Sequence, residues 1–89
     1  MTQADAWLRR FRYGSGARAR LVCLPHAGGS ASAFRRWRDA LPDDIDLIAV
    51  QYPGREDRYA EPFASDVGAL ADTLADVLVP HADRPLFLF

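Results

Sequence analysis

Apolar residues along this chain come in continuous runs and in one-sided stripes, and the two kinds alternate. Leu21-Val22-Cys23-Leu24 is one run, Leu47-Ile48-Ala49-Val50 a second and Leu86-Phe87-Leu88-Phe89 a third. A strand covered on both faces is apolar at every position, whereas a half-wetted strand alternates. Each run therefore predicts a buried strand: from about Arg20 to Pro25, over Leu47–Val50 extended by Gln51 and Tyr52, and from Pro85 to Phe89. Between the first two, Phe34, Trp37 and Leu41 fall at i, i+3 and i+7, with Arg and Asp on the other side. That spacing predicts a helix that Ser30 or Ser32 caps and Pro42-Asp43-Asp44 stops. Between the last two runs, Val67, Leu70, Ala71, Leu74, Val77 and Leu78 make a second stripe, opened by Ser65 and Asp66 and ended by Pro80. Pro53-Gly54 turns the chain into the charged loop Arg55-Glu56-Asp57-Arg58, which ends near Pro62. At the front, Trp7, Leu8 and Phe11 predict one helical turn packed on the body, followed by a turn at Gly14-Ser15-Gly16.

The order strand, helix, strand, helix, strand implies right-handed crossovers and a parallel sheet, an α/β fold. The last strand carries four consecutive large apolar residues at a position where chain ends are usually polar. The expectation is that residues 1–89 are the N-terminal portion of a single domain that continues past Phe89. A sheet of three strands alone would leave an unpaired edge and much apolar surface uncovered.

Composition narrows the function classes. The chain has 89 residues, 49% hydrophobic and 26% charged, within the ordinary range for a soluble globular protein. Eleven basic side chains, all Arg, against twelve acidic ones leave a formal net charge of -1. That balance argues against nucleic acid or an anionic membrane as partner. Arg35, Arg36 and Arg38 read as a solvated helix face. The lone Cys23 supports neither a disulfide nor a multi-cysteine metal site and reads as a small buried hydrophobe. No basic n-region leads into an apolar stretch at the front, and no run approaches the roughly 20 apolar residues of a membrane span. A cytoplasmic location follows by default.

In parallel α/β sheets, ligands gather at the carboxyl ends of the strands. The loop Pro25-His26-Ala27-Gly28-Gly29-Ser30 lies there, between a strand and a helix N-terminus. Glycines let backbone N–H groups come close to a ligand, and the helix end favours negative charge. A phosphate loop would need a trailing Lys, and the chain has none. Gly14-Ser15-Gly16 precedes its strand, so it is no dinucleotide fingerprint. A developing acyl oxyanion suits the loop; a plain connection that uses Gly for geometry is the alternative. His26 reads as a loop hydrogen-bonding residue, His81 as a surface residue, and Asp43, Asp44 and Asp46 as solvated turn residues. Arg55, Glu56, Asp57 and Arg58 read as holding one another in a charged loop, with contact to a carrier protein as the alternative.

Leu21-Val22-Cys23-Leu24-Pro25-His26-Ala27-Gly28-Gly29-Ser30, followed by Phe34 and Trp37, resembles the opening of the type II (editing) thioesterases of polyketide and nonribosomal peptide synthesis. Val50-Gln51-Tyr52-Pro53-Gly54-Arg55-Glu56-Asp57-Arg58 resembles that family's second segment, and the similarity runs from about Trp7 to Phe89. The resemblance implies the N-terminal part of an α/β-hydrolase fold, stopping before the Gly-His-Ser-Met-Gly nucleophile elbow, with the Asp and His of the triad further along still. It assigns one oxyanion-hole donor to the backbone N–H of Ala27, supported by His26, Gly28 and Gly29, and no catalytic side chain to residues 1–89. The implied reaction is hydrolysis of an acyl thioester carried on the phosphopantetheine of an acyl or peptidyl carrier protein, with no metal and no resident cofactor. The implied partners are that carrier protein and the missing C-terminal part of the same domain. Two other readings stay open: a non-catalytic α/β interaction module, and another α/β-hydrolase such as an esterase. One oxyanion donor is worth roughly 10²–10³ in rate where the rest of a site is intact. Loss of the nucleophile or base costs on the order of 10⁶. By that arithmetic residues 1–89 alone are inactive.

Overall fold

A computed structural model describes residues 6–26, 29–58, 60–62 and 66–89. Four strands, β1 (Leu8–Arg12), β2 (Ala19–Cys23), β3 (Ile45–Val50) and β4 (Leu86–Leu88), form one sheet in the order β1-β3-β2-β4. β2 pairs in parallel with both β3 and β4, as the alternation of runs and stripes predicts. Helix α1 (Ala31–Asp39) links β2 to β3, and helix α2 (Val67–Leu78) leads towards β4.

The two helices cover opposite faces, and the period-2 alternation of the strands decides which side chain meets which. Val22, Ile48 and Val50 point to the α2 side, where Trp7, Leu8 and Val77 complete a cluster with Leu70, Leu74 and Leu78 around it. Cys23, Leu47 and Ala49 point to the α1 side and meet Ala31 and Phe34, with Trp37 and Leu41 at the margin. Leu47, Ile48, Ala49 and Val50 are all fully buried. That is the continuous apolar signature of a strand with a helix on each side.

Local structure departs from the expected pattern at the front and in α1. Of the expected helical turn only Trp7 is helical, together with Ala6; Leu8 and Phe11 belong to β1, antiparallel to β3. Leu8 joins the α2-side cluster and Phe11 the α1-side cluster, and the register slips between Arg10 and Arg12. Pairing with β3 gives the segment inter-strand hydrogen bonds along its inner side and places Leu8 and Phe11 in the two clusters, more than one isolated helical turn supplies. The interleaved Arg9, Arg10 and Arg12 charge this edge strand, a common guard against edge-to-edge association. Arg12 also donates to the carbonyls of Arg38, Leu41 and Pro42, tying β1 to the end of α1.

Helix α1 is wound in 3-10 geometry along its length. Side chains three apart eclipse in such a helix, and Ala31, Phe34 and Trp37 make the inward stripe at that interval. In α2, Asp66 is the cap, accepting from the Gly68 N–H at 2.9 Å. Ser65 lies outside the described residues. Leu70, Leu74, Val77 and Leu78 of the predicted stripe pack inwards, whereas Val67 is 81% exposed and Ala71 is also exposed. The stripe thus engages the sheet only from its second turn.

At the amino ends of β2 and β3, a buried ion pair replaces the expected solvated turn. Arg20 and Asp46 face each other in the parallel register, with only 3% and 2% of their surfaces exposed. Arg20 Nε donates to Asp46 Oδ2 at 3.0 Å, and Nη1 donates to the His81 carbonyl at 2.8 Å and to Asp83. The other Asp46 oxygen accepts from the Gly14 N–H at 2.9 Å, and the guanidinium lies 4.5 Å from the Tyr13 ring centroid. Burial alone would lower the Arg20 pKa, but the hydrogen bonds to Asp46 and Asp83 outweigh it and raise it. Asp46 is therefore structural, while Asp43 is exposed and Asp44 half-buried, pairing with Arg18 at the surface. His81 is also buried, correcting the surface assignment; the Tyr13 hydroxyl reaches its Nδ1 at 2.7 Å.

Two stability predictions follow from this network. Asp46→Ala leaves the Arg20 charge buried without its main partner and should cost about 3–5 kcal/mol in denaturant unfolding. Asp83→Ala, at an exposed carboxylate, should cost less. Burial, then the charges of Arg20 and Arg10, holds the His81 pKa below its ordinary value of 6.5, against opposing pulls from Asp83 and Asp46. Below about pH 6.5 the unfolded chain thus takes up this proton before the folded one, so stability falls with pH in that window. The thermal midpoint should fall less between about pH 7 and 5.5 in His81→Gln than in the parent chain.

Candidate functional site

The carboxyl ends of β2, β3 and β4 lie side by side because all three strands run the same way. The loop after β2, the loop after β3 and the end of β4 therefore share one edge. Backbone pairing extends beyond β4: Phe89 N–H donates to the Val22 carbonyl at 2.9 Å, and Leu24 N–H to the Phe89 carbonyl at 2.8 Å. The Trp37 ring lies 5.0 Å from the Phe89 ring, and Phe34 meets Trp37 edge-on at 5.1 Å. The glycine-bearing loop thus starts directly beside the last strand.

Of the four loop residues singled out in the sequence, His26 and Gly29 are described. Ala27, the expected oxyanion donor, and Gly28 lie outside the described residues. The Gly29 N–H donates to the His26 carbonyl at 2.8 Å, closing a tight turn. A Cβ on Gly29 would stand 2.9 Å from Cε1 of the His26 ring and 3.1 Å from the His26 carbonyl oxygen. A side chain at Gly29 would crowd the His26 ring and carbonyl and force them to shift. The exposed His26 is a loop residue in this arrangement, with its main chain forming the turn.

Beyond the turn, the loop is held by residues from the far side of the edge. Ser30 is the N-cap of α1 but makes no side-chain cap bond. Gln51 caps the helix in its place, its Oε1 accepting from the Ala31 N–H at 2.9 Å. The Gln51 Nε2 donates to Glu56 Oε2 at 3.2 Å, and the hydroxyls of Ser30 and Ser32 donate to Glu56 Oε1. The second loop has its own anchor. Arg58, 7% exposed, donates to the Gln51 carbonyl, forms two bonds of 2.8 Å to Glu61 and lies 4.7 Å from the Trp7 ring centroid. Glu56 and Arg58 bind groups outside the 55–58 run, at Ser30, Ser32, Gln51 and Glu61, contacts that their spacing in the sequence does not reveal. One signal for Gln51 was present: it is an amide at the end of an apolar strand, and a buried amide needs partners.

Two other features are set aside by position and chemistry. A cleft of about 290 Å³ lined by Arg12, Tyr13, Asp43, Asp44 and Asp46 opens at the amino ends of the strands, opposite the loops. Cys23 is fully buried, and burial pushes its thiol pKa up to about 11, which keeps it protonated and unreactive. Among the described residues, no group of His, Cys, Asp and Glu is placed to hold a metal, and no helix is long and apolar enough to cross a membrane.

Comparison with known proteins matches this arrangement to one family. The thioesterase-domain family model matches residues 19–89, from the start of β2 through the last residue of the edge just described. The chain belongs to the thioesterase family. It is 42% identical over 86 residues to a probable cadicidin biosynthesis thioesterase of Streptomyces griseus, covering 97% of this chain and 24% of that protein. It is 47% identical over 74 residues to Thioesterase PikA5 of Streptomyces venezuelae, covering 83% of this chain and 26% of that one. The type II thioesterase BorB of the borrelidin biosynthetic cluster superposes with a TM-score of 0.86 at 43% identity, over 100% of this chain and 36% of that chain. This thioesterase chain thus spans about a quarter to a third of the length of these relatives. Its fold is the corresponding N-terminal part of an α/β-hydrolase.

The crossed bonding at the edge has a measurable consequence. Gln51→Leu keeps the volume of the side chain but removes the acceptor of the Ala31 N–H, whose residue is 1% exposed. The variant should lose about 1–3 kcal/mol in denaturant unfolding.

Proposed function

We propose that this chain contributes half of the oxyanion hole of a serine thioesterase that releases acyl groups from carrier proteins in polyketide or nonribosomal peptide synthesis. The observation that carries the reading is the glycine-bearing loop beside the end of β4, at the edge where an α/β-hydrolase takes one oxyanion N–H from the loop after a strand and another from the residue after its nucleophile. The relatives, among them a probable cadicidin biosynthesis thioesterase and a type II thioesterase of the borrelidin biosynthetic cluster, support the thioester substrate class, and the turn closed by Gly29 supports the loop's role as backbone donor.

In the proposed reaction a serine hydroxyl, losing its proton to a histidine, attacks the thioester carbon. The tetrahedral oxyanion accepts from two backbone N–H groups, one of them that of Ala27. The C–S bond then breaks, the phosphopantetheine sulfur of the carrier takes up a proton, and water hydrolyses the acyl-serine to the free acid. The reading calls on no metal or resident cofactor, because phosphopantetheine belongs to the carrier. It fits a cytoplasmic enzyme whose partners are an acyl or peptidyl carrier protein and the remainder of the same domain. The biological purpose it implies is removal of misprimed or stalled acyl groups.

Residues 1–89 expressed alone should hydrolyse no thioester above buffer, and a fluorophosphonate probe should label none of Ser15, Ser30, Ser32 and Ser65. The same residues joined to a reading frame that continues into Gly-X-Ser-X-Gly should release free acid from acyl-carrier thioesters in preference to simple esters. Labelling of the short chain, or preference for simple esters by the longer one, overturns the proposal.

A further inference from the structure

We propose that Glu56 is a positioning residue for the oxyanion loop. It clamps the end of the loop after β2 to the loop after β3, so that the acyl-binding amide is set in place before substrate arrives. The identity of what the loop binds rests on the thioesterase reading above; the clamp itself rests on geometry alone.

The first observation is backbone conformation. Glu56 has φ of 43°, the one positive value at a non-glycine residue among those described. A residue with a Cβ is disfavoured in that region and stays there only where its surroundings over-determine it. Here they do so from below. Arg58 N–H donates to the Arg55 carbonyl at 2.8 Å and Gly54 N–H to the Arg58 carbonyl at 2.9 Å, while the Arg58 side chain is fixed on Gln51 and Glu61. The loop is rigid at its base, and the unfavourable φ accompanies a carboxylate turned towards the start of α1.

The second observation is an exchange of partners. A serine at a helix N-cap ordinarily satisfies its own helix, yet Ser30 gives its hydroxyl to Glu56, and Gln51, directly after β3, supplies the missing cap. Ala31 N–H, Gln51, Glu56 and Ser30 thereby close a ring of hydrogen bonds, with Ser32 as a further donor. Capping within α1 would satisfy the same groups without joining two loops. The crossed arrangement spends the hydrogen bonds on fixing one loop against the other. A donor gains catalytic value from being held where charge will develop, with no reorganisation at the moment of reaction. Glu56 reaches the residues immediately downstream of Gly29 and so sets where the loop ends.

Amide exchange in the 89-residue chain tests the clamp without any activity. Glu56→Ala should speed exchange at Gly29, Ser30 and Ala31 by about tenfold or more, with little change in β2 and β3. Glu56→Gln, which keeps an oxygen acceptor, should restore part of the protection. Asp72→Ala on the exposed face of α2 is the control and should change none of the three. Unchanged exchange at those amides in Glu56→Ala, or acceleration spread evenly over the sheet, overturns the clamp. In the longer protein with its nucleophile, Glu56→Ala should lower kcat by about 10- to 100-fold with KM within about twofold, because an oxyanion exists only in the transition state. A raised KM at unchanged kcat overturns the positioning role. If the unsubstituted longer protein hydrolyses no thioester, the thioesterase reading fails, and amide exchange alone decides the clamp.

Discussion

A guanidinium with 3% of its surface exposed must be compensated where it lies, and Arg20 is such a group on an inner strand. Its partners come from everywhere the chain passes that end of the sheet: Asp46 on β3, the His81 carbonyl and Asp83 between α2 and β4, and the Tyr13 ring after β1. Arg20 stands opposite Asp46 in the parallel register of β2 and β3, so the pair favours that register. A buried ion pair is weak evidence for net stability, because desolvation consumes much of the attraction. What it imposes is a penalty on every arrangement in which Arg20 loses Asp46. With the amino ends locked in this way, the carboxyl ends of β2, β3 and β4 are brought level, and the loops that follow meet at one edge.

The two ends of the sheet are built on different chemistry. The amino end holds its charges as a permanent network around Arg20, with His81 kept neutral by burial and by the neighbouring cations. The carboxyl end carries backbone amides, hydroxyls and a side-chain amide, with the Glu56 carboxylate engaged by three donors. The cleft lined by three aspartates at the amino end lies opposite the loop edge.

The alternation of apolar runs and stripes made the parallel strands and the two helices legible, because burial on both faces and burial on one leave different periods. Phe34, Trp37 and the 70–78 stripe could be read for the same reason. Several features were not legible. Trp7, Leu8 and Phe11 carry spacing compatible with a helix, and only β3, far along the chain, offers the pairing that makes Leu8 and Phe11 part of β1. Asp46 and His81 look like surface residues because local polarity says nothing about a partner 26 or 61 residues from it, as Arg20 is. The charged loop at Glu56 was legible, but the partners of Glu56 and Gln51 were not, because their bonds cross to Ser30, Ala31 and Ser32, 20 or more residues away.

The amino-acid sequence by itself determined the order of elements from β2 to β4, the α/β class, the buried character of those strands and the family signature around His26–Ser30 and Val50–Arg58. These are properties of neighbouring residues and of short periods, which a chain expresses wherever it folds. Tertiary structure alone decided the antiparallel edge strand, the register locked by Arg20 and Asp46, and the clamp that joins the two loops. Each of these depends on groups far apart in the chain being brought within hydrogen-bonding distance, and the cost of leaving a buried polar group unpaired selects among the ways of doing so.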